Sequence, residues 1–315
     1  MTDDTITIDR ECPGGVGELA RLEVARIGFG AMQLERLHGD RAAAIDLVRH
    51  AIDLGVDHLD TAEFYGDGFV NSVLGEALGG GGLGGAVQVV SKVGAEVAPG
   101  GRGLRPAQRP EQLRASVEAN LRSLGVERIP VVNLRRMDAG IGIRADGDQA
   151  VGIDDQLAAM VAMRDEGMIG AIGLSSMTIE GLRRALPIGV ACVQNAYSLV
   201  ARGDEDMLEL CLAEGVAWVP YFPLGSAFAG LPKVTDEPEV ISVAEALGVT
   251  PSEVGLAWLL QHAPNVLLIP GTADARHLEA NLAVGSLTLD AESVARLDAI
   301  PTREVDLAAF RAQQD

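Results

Sequence analysis

Residues 169–194 read IGAIGLSSMTIEGLRRALPIGVACVQ and contain the unit that repeats along the whole chain. Residues 169–174 and 190–194 are short apolar runs that predict buried strands. Residues 178–185, between them, have the apolar spacing of a helix. A strand, a helix and a further strand in so short a stretch indicate a parallel βαβ unit.

The same alternation continues in both directions. Strands are predicted over residues 26–29, 56–60, 87–92, 129–134, 169–174, 190–194, 216–220 and 266–269. Helices are predicted over residues 41–54, 70–78, 110–124, 154–166, 178–185, 204–214, 251–261 and 275–282. Eight βα units fit a closed (β/α)8 TIM barrel that uses residues 1–315 as a single domain.

A doubly wound sheet also alternates strands and helices, so the two folds need a discriminator. Gly28 and Gly30 end the first strand, but no third glycine follows and no helix is expected to open there. The glycine-rich run 78–85 precedes a strand and predicts a flexible connection. The barrel is therefore favoured. We also expect a small hairpin from residues 5–8 and the turn Pro13-Gly-Gly15 at the barrel floor, and an extra helix over 238–248 after the seventh strand.

Composition excludes several classes of function. Asp and Glu total 45 against 25 Lys and Arg, a net charge of −20, which disfavours a nucleic-acid or anionic membrane partner. Three scattered cysteines and five histidines lack metal-ligand spacing, so no metal site is expected. The N-terminus has no signal-peptide pattern and no apolar run has transmembrane length. These features predict a cytoplasmic protein.

Catalytic residues of a barrel lie where its strands end. Polar residues at those ends are Asp60, Lys92, Arg135, Ser175 and Gln194, and Tyr65 follows Asp60 by five positions. A lysine cation beside a phenol favours the phenolate, so we expect the pKa of Tyr65 to be lowered from about 10 toward neutrality. Asp60 would keep Lys92 charged and oriented, and Tyr65 would act as a general acid.

Seven stretches in order resemble the aldo-keto reductase superfamily. They are Gly28-Phe-Gly-Ala-Met32, Asp57-His-Leu-Asp-Thr-Ala-Glu-Phe-Tyr-Gly66, Val89-Val-Ser-Lys92, Ile172-Gly-Leu-Ser-Ser176, Val193-Gln-Asn-Ala-Tyr197, Tyr221-Phe-Pro-Leu224 and Ile269-Pro-Gly-Thr272. Members of this family are mostly NADPH-dependent carbonyl reductases on this barrel. The resemblance implies that Tyr65 is the proton donor and that Lys92 and Asp60 support it.

The resemblance also implies the cofactor contacts. Ser175 and Gln194 would hold the carboxamide, and Tyr221 would stack on the nicotinamide ring. Arg276 would pair with a 2′-phosphate, which favours NADPH over NADH. The remaining implied contacts, from the same stretches and from the glycine loop and helix after the eighth strand, are Gly30, Met32, Pro223, Leu224, Gly271, Thr272 and Asn281.

The fourth strand departs from the family. Most members end it with a catalytic histidine, whereas this chain has Arg135 there and Arg136 next. Alternation predicts that Arg135 enters the mouth on the same face as Asn133, and that Arg136 enters the helical layer. An arginine cannot shuttle protons near neutral pH but can polarise a carbonyl oxygen or hold an anionic substrate group.

Within the family, the run Val131-Val-Asn-Leu-Arg135 and the stretches around 193–199, 222–225 and 256–272 resemble a bacterial branch that contains pyridoxal reductases. Pyridoxal, an aldehyde reduced to pyridoxine, carries an ionisable 3-hydroxyl that Arg135 could pair with. Two alternatives remain: an alcohol dehydrogenase or tailoring reductase of secondary metabolism, and a noncatalytic nucleotide-sensing subunit like the reductase-like β subunits of potassium channels.

Overall fold

Strands and helices alternate along the chain as the sequence predicts. The computed structural model describes residues 12–79, 85–101, 103–137, 144–225 and 230–304. The strands are β1 (Val16–Leu19), β2 (Leu22–Ala25), β3 (Phe29–Gly30), β4 (His58–Asp60), β5 (Gln88–Val93), β6 (Ala95–Val97), β7 (Leu104–Pro106), β8 (Ile129–Arg135), β9 (Ile169–Ser175), β10 (Val190–Gln194) and β11 (Ala217–Trp218). The helices are α1 (Arg41–Asp53), α2 (Phe69–Ala77), α3 (Pro110–Leu124), α4 (Ile153–Asp165), α5 (Ile179–Ala185), α6 (Glu205–Ala213), α7 (Pro238–Leu247), α8 (Pro251–His262), α9 (Ala275–Ala283) and α10 (Ala291–Asp298).

Seven parallel strands curl into a barrel. Their order is β3, β4, β5, β8, β9, β10 and β11. Residues 266–269 bridge the two edges, because Val266 pairs with Trp218 and Leu268 pairs with Ile27, both in parallel. The eighth segment therefore closes the sheet, and the predicted (β/α)8 TIM barrel is confirmed.

The seam at this closure depends on close backbone approach. A Cβ on Gly30 would lie 2.4 Å from the carbonyl oxygen of Ile269, and a Cβ on Gly271 would lie 2.6 Å from that of Gly30. Below these glycines the guanidinium of Arg26 donates to the carbonyl oxygens of Leu260 and Ala263, at 2.7 and 2.8 Å. The first strand is thus fastened both to the last barrel segment and to the end of α8.

A hairpin formed by residues before the first barrel strand covers the barrel floor, as expected, but its turn is not at Pro13-Gly-Gly15. The hairpin consists of β1 and β2, and its turn residues Ala20 and Arg21 have φ values of 53° and 67°. Because neither residue is a typical turn former, no turn is predicted at these positions. Leu19 and Val24 pack under the barrel strands, as a floor plug should. The predicted segment 5–8 lies outside the described residues.

Insertions after the strands were only partly predicted. The extra helix is confirmed as α7, which ends at Gly248 with φ of 68°. The antiparallel pair β6 and β7 was missed, as was α10, capped by the Asp290 carboxylate. The expectation that no helix opens after Gly30 was wrong, since a 3-10 helix occupies Ala31–Leu37.

Alternation along the strands separates an apolar layer from a polar interior. On β5, Val89 and Val93 pack in the large cluster between sheet and helices, whereas Val90 faces the floor plug. Lys92, two residues beyond Val90, shares its face and extends the interior toward the mouth. The barrel thus has an apolar base and polar side chains above it.

No single described helix is long and apolar enough to cross a membrane, and the bent pair α7 and α8 passes that test only when its two helices are counted together.

Replacing Gly30 with Ala tests the seam. The new methyl group would collide with the Ile269 backbone, so we expect the free energy of unfolding to fall by about 1–3 kcal/mol. Gly39→Ala is the matched control, because a Cβ there meets nothing within 4 Å. Denaturant unfolding measures both variants, and equal stability of the two would contradict the tight seam.

Candidate active site

A buried ion pair lies at the centre of the barrel mouth. The Nζ of Lys92 donates to Oδ1 of Asp60 at 2.5 Å and to the carbonyl oxygen of Thr61 at 2.9 Å. Lys92 is 6% exposed and Asp60 is 4% exposed. Two charges this deeply buried are stable only when each is paired and hydrogen-bonded. The strand-end rule therefore found two residues that the structure does bring into contact.

Tyr65 completes this group from the loop after β4. The Nζ of Lys92 lies 5.0 Å from the centroid of the Tyr65 ring, and its charge acts on the Tyr65 phenol. Two of the three ammonium donors are used on Asp60 and Thr61, and the third is left for the Tyr65 side. Because an ammonium group has no acceptor, the phenol oxygen can only accept from Lys92.

The pKa of Tyr65 differs from the sequence-based expectation. Burial raises the pKa of the Tyr65 phenol above its ordinary value, and the opposing effects of Lys92 and Arg135 do not outweigh it. The prediction of a lowered pKa was therefore wrong, because it counted the neighbouring cation and omitted desolvation. A phenol that keeps its proton at neutral pH suits a proton donor.

The pKa of Lys92 is raised, in agreement with the expectation that Asp60 keeps Lys92 charged. Burial alone lowers this pKa, but the Asp60 carboxylate and the Tyr65 oxygen outweigh burial and raise it. Lys92 is accordingly a permanent cation at neutral pH. Asp60 supplies the charge that makes this possible.

A second polar network holds the loop that carries Tyr65. The hydroxyl of Thr61 donates to Asn71 on α2 at 2.7 Å, and the amide of Asn71 donates to Asn120 on α3 at 2.9 Å. Asn71 also donates to the half-buried carboxylate of Glu63, which accepts from Ser123 as well. The loop is thus tied to two helices on the side opposite the ion pair.

Arg135 lies at the mouth as predicted. Its guanidinium carbon is 5.8 Å from the ring centroid of Phe64, the residue before Tyr65. Arg136 faces the other way and donates to Gln156 on α4 at 2.6 Å, so the predicted division between mouth and helical layer is confirmed. The Arg135 charge also acts on the phenols of Tyr65 and Tyr221. This places a cation among the aromatic side chains of the mouth.

Gln194 lies deeper than its predicted role suggests. Its Nε2 donates to Oδ2 of Asp60 at 2.9 Å, and its Oε1 accepts from Asn133 at 3.3 Å. Sequence reasoning placed Asn133 on the Arg135 face but gave it no role. The structure joins Asn133 to the carboxylate of Asp60 through Gln194.

Ser175 and Tyr221 lie on adjacent parts of the mouth. Ser175 ends β9 and is buried, and the next residue, Ser176, has φ of 53°. The hydroxyl of Ser176 lies 3.3 Å from the Tyr221 oxygen, while Phe222 has φ of 54°. Non-glycine residues in this conformation are strained, and strained residues concentrate at functional sites. Their backbone fixes the Tyr221 ring beside the mouth.

The residues that were predicted to contact phosphate adjoin the Asp60 side of the barrel mouth. Gly271 is against Gly30, and Gly30 pairs with Asp60 across β3 and β4. Asp274 caps α9 by accepting from the amides of Arg276 and His277. The Arg276 side chain is 86% exposed and contacts Asp274 at 3.4 Å.

The other residues that were predicted to contact the cofactor range from exposed to buried. Met32 is 40% exposed, and Leu224 packs partly against the core. Thr272 is buried and its hydroxyl accepts from the amide of Asp274. Pro223 and Asn281 are partly buried. Among the residues that the structure describes, no group of three or more His, Cys, Asp or Glu side chains could hold a metal ion.

Comparison with known proteins agrees with this geometry. The model of the aldo/keto reductase family matches residues 26–301. The chain belongs to the aldo/keto reductase family. It is 39% identical to a pyridoxine 4-dehydrogenase of Escherichia coli over 90% of this chain and 96% of that protein. This aldo/keto reductase is therefore an NAD(P)H-dependent carbonyl reductase.

Solved structures show the same fold. An aldo-keto reductase of Klebsiella pneumoniae in complex with NADPH superposes with a TM-score of 0.73 at 27% identity, over 92% of this chain and 97% of that one. An aldo-keto reductase of Bacillus halodurans in its holo form superposes with a TM-score of 0.75 at 22% identity, over 92% and 97% of the two chains.

Asp60→Asn tests the buried pair. The variant leaves the Lys92 charge without its carboxylate, so we expect the free energy of unfolding at neutral pH to fall by about 3–5 kcal/mol. The pH dependence should also reverse. In the native chain the raised pKa of Lys92 contributes stability that is present below pH 10.5 and is lost as pH rises past the folded-state pKa.

In the variant, burial dominates and lowers the pKa of Lys92, so the unfolded chain binds more protons and stability rises with pH up to about 10.5. Denaturant unfolding at several pH values measures this slope. A variant whose stability falls with pH in the same way as the native chain would show that Asp60 does not hold the charge.

Proposed function

We propose that this protein reduces an aldehyde to a primary alcohol with NADPH and that Tyr65 donates the proton. One observation carries the proposal: the buried Lys92 cation, bonded to Asp60 and Thr61, lies 5.0 Å from the centroid of the Tyr65 ring. Lys92 can only donate to the phenol oxygen, which leaves the phenol hydrogen for a substrate carbonyl to accept. Raised pKa values of Tyr65 and Lys92 keep both groups protonated at neutral pH.

The residues around the mouth fit a dinucleotide. The exposed Arg276 guanidinium at the start of α9 is a donor suited to phosphate. Tyr221, held at Ser176, offers a ring face for nicotinamide. The NADPH in the complex of the Klebsiella pneumoniae relative supports this choice of cofactor.

When bound, NADPH supplies a hydride to the carbonyl carbon. The chain's own residues act on the oxygen. Tyr65 donates its proton to that oxygen as negative charge develops there, and Lys92 stabilises the phenolate that remains. Asp60 keeps Lys92 charged throughout, and the aromatic walls formed by Phe64 and Tyr221 exclude water.

Arg135 favours an aldehyde with an adjacent anionic group. Its guanidinium lies over Phe64 and close enough to Tyr65 to affect the phenol, so it can reach an anion beside the carbonyl. Pyridoxal, with its ionisable 3-hydroxyl next to the aldehyde, has this arrangement. Identity of 39% to a pyridoxine 4-dehydrogenase supports pyridoxal as the substrate.

The reverse direction has a specific observation in its favour. The relative's name describes the oxidation of pyridoxine, and the same residues would serve, with Tyr65 accepting the proton. The raised pKa of Tyr65 favours reduction near neutral pH, because oxidation needs the phenolate. The intact Asp60, Tyr65 and Lys92 group argues against a nucleotide-sensing subunit without turnover.

Tyr65→Phe tests the proton donor. We expect kcat for aldehyde reduction to fall by about 10²–10⁴-fold, with the Kd for NADPH nearly unchanged, because only the phenol hydroxyl is lost. Steady-state NADPH oxidation and fluorescence titration measure the two quantities. Tyr197→Phe is the matched control: this hydroxyl lies against Glu205 and His262, outside the mouth. Full activity of the Tyr65 variant would overturn the mechanism.

Arg135→His tests the substrate class. Loss of a charge-assisted hydrogen bond should raise KM for pyridoxal by about tenfold or more, while KM for 3-deoxypyridoxal, which lacks the anionic group, stays within about twofold. Arg135→Lys keeps the charge and should give an intermediate KM. If the histidine variant affects both aldehydes equally, Arg135 does not recognise the 3-hydroxyl.

A further inference from the structure

A directed chain of hydrogen bonds crosses the barrel interior below the mouth. The thiol of Cys192 donates to Oδ1 of Asn133 at 3.2 Å, and Nδ2 of Asn133 donates to Oε1 of Gln194 at 3.3 Å. Nε2 of Gln194 then donates to Oδ2 of Asp60 at 2.9 Å. All four side chains are nine-tenths or more buried. In each of these three hydrogen bonds, the donor is the residue farther from Asp60.

The direction of this chain is fixed by chemistry. If the Asn133 amide were turned over, its oxygen would face the Gln194 oxygen and its amino group would face a thiol that accepts weakly. If the Gln194 amide were turned over, its oxygen would face the Asp60 carboxylate. Burial raises the pKa of the Cys192 thiol to about 12, so the thiol keeps its hydrogen for donation. Asn133 therefore holds Gln194 in the orientation that presents an N–H to Asp60.

The neighbouring strand is built to admit the Asn133 side chain. Gly173 pairs with Asn133 across β8 and β9. A Cβ at position 173 would lie 1.9 Å from Oδ1 of Asn133 and 2.7 Å from Sγ of Cys192. Any larger residue would displace the amide from its place in the chain. The missing side chain at Gly173 thus leaves room for the Asn133 amide, which supports the same arrangement independently of the hydrogen bonds.

We infer that Asn133 is a positioning residue for the reduction, acting through Gln194 on Asp60. The Gln194 amide fixes one oxygen of Asp60, which leaves the other aimed at Lys92 and so sets Lys92 against Tyr65. Asn133 touches none of the reacting groups itself. This inference rests on the proposed reduction with Tyr65 as donor.

The kinetic test replaces Asn133 with Leu, which has the same branching and no hydrogen-bonding group. With Gln194 unanchored, Asp60 and Lys92 are less well held, so proton donation by Tyr65 slows. We expect the single-turnover rate of NADPH oxidation by pyridoxal to fall about tenfold, and the effect of D2O on that rate to increase. Gly173→Ala should give the same result, because its methyl group displaces the Asn133 amide.

Asn265→Leu is the matched control. Asn265 precedes the last barrel segment, and its amide donates to the carbonyl oxygen of Val216 at 3.0 Å, away from the mouth. A loss of folded protein lowers amplitudes but leaves an isotope effect unchanged, so the control should keep the native D2O effect. A native D2O effect and rate in Asn133→Leu would overturn the inference, while absence of turnover in the native enzyme would overturn the proposed function instead.

A stability measurement tests the same link without substrate or cofactor. Asn133 and Asp60 are joined through Gln194, so their substitutions should not act independently. The unfolding equilibrium constant of the double variant Asn133→Leu, Asp60→Asn should differ about tenfold from the value obtained by multiplying the effects of the two single variants. Denaturant unfolding of the three variants measures this coupling. Additive effects on the free energy of unfolding would show that Asn133 does not act on Asp60 through Gln194.

Discussion

The buried contact between Lys92 and Asp60 constrains the whole site. A lysine this far from water is charged only because Asp60 accepts from it, and the carboxylate is itself held by the amide of Gln194. With this pair in place, Lys92 lies 5.0 Å from the centroid of the Tyr65 ring and has one donor left for the phenol oxygen. The Tyr65 phenol therefore lies beside a buried charge that Asp60 holds in place.

The barrel makes this contact possible through strand register. Alternation places Val90 on the floor and Lys92 above it, and parallel pairing brings Asp60 on β4 beside β5. Polar side chains in the upper interior are satisfied by one another, which is the condition for burying them. The acidic excess of the chain, −20 overall, has little influence here. What acts on Tyr65 is the local set of Lys92, Asp60 and Arg135.

Sequence reasoning predicted the barrel because helices and strands have different apolar periods and eight repeats leave few alternatives. It also placed Asp60, Lys92 and Arg135 at the barrel mouth, since all three lie at strand ends. It expected a floor hairpin but missed the hairpin's turn at Ala20 and Arg21, which has no glycine or proline. It failed for the pKa of Tyr65 as well, because desolvation depends on how neighbouring elements cover the ring. Asn133 was assigned to the correct face of its strand. Its contact with Gln194 could not be predicted, because that depends on how the neighbouring strands are placed.

Tyr65 carries its proton at neutral pH because burial outweighs the effect of the Lys92 charge on its pKa. Only three tyrosines are present in the chain, so 13C labelling at the ring carbon that bears the hydroxyl gives three signals, and Tyr65→Phe assigns the one of interest. Titration of this signal by NMR measures the pKa directly. We expect the titration midpoint of Tyr65 to lie above pH 10. A transition between pH 6 and pH 9, roughly the range of a phenol dominated by a neighbouring cation, would contradict it.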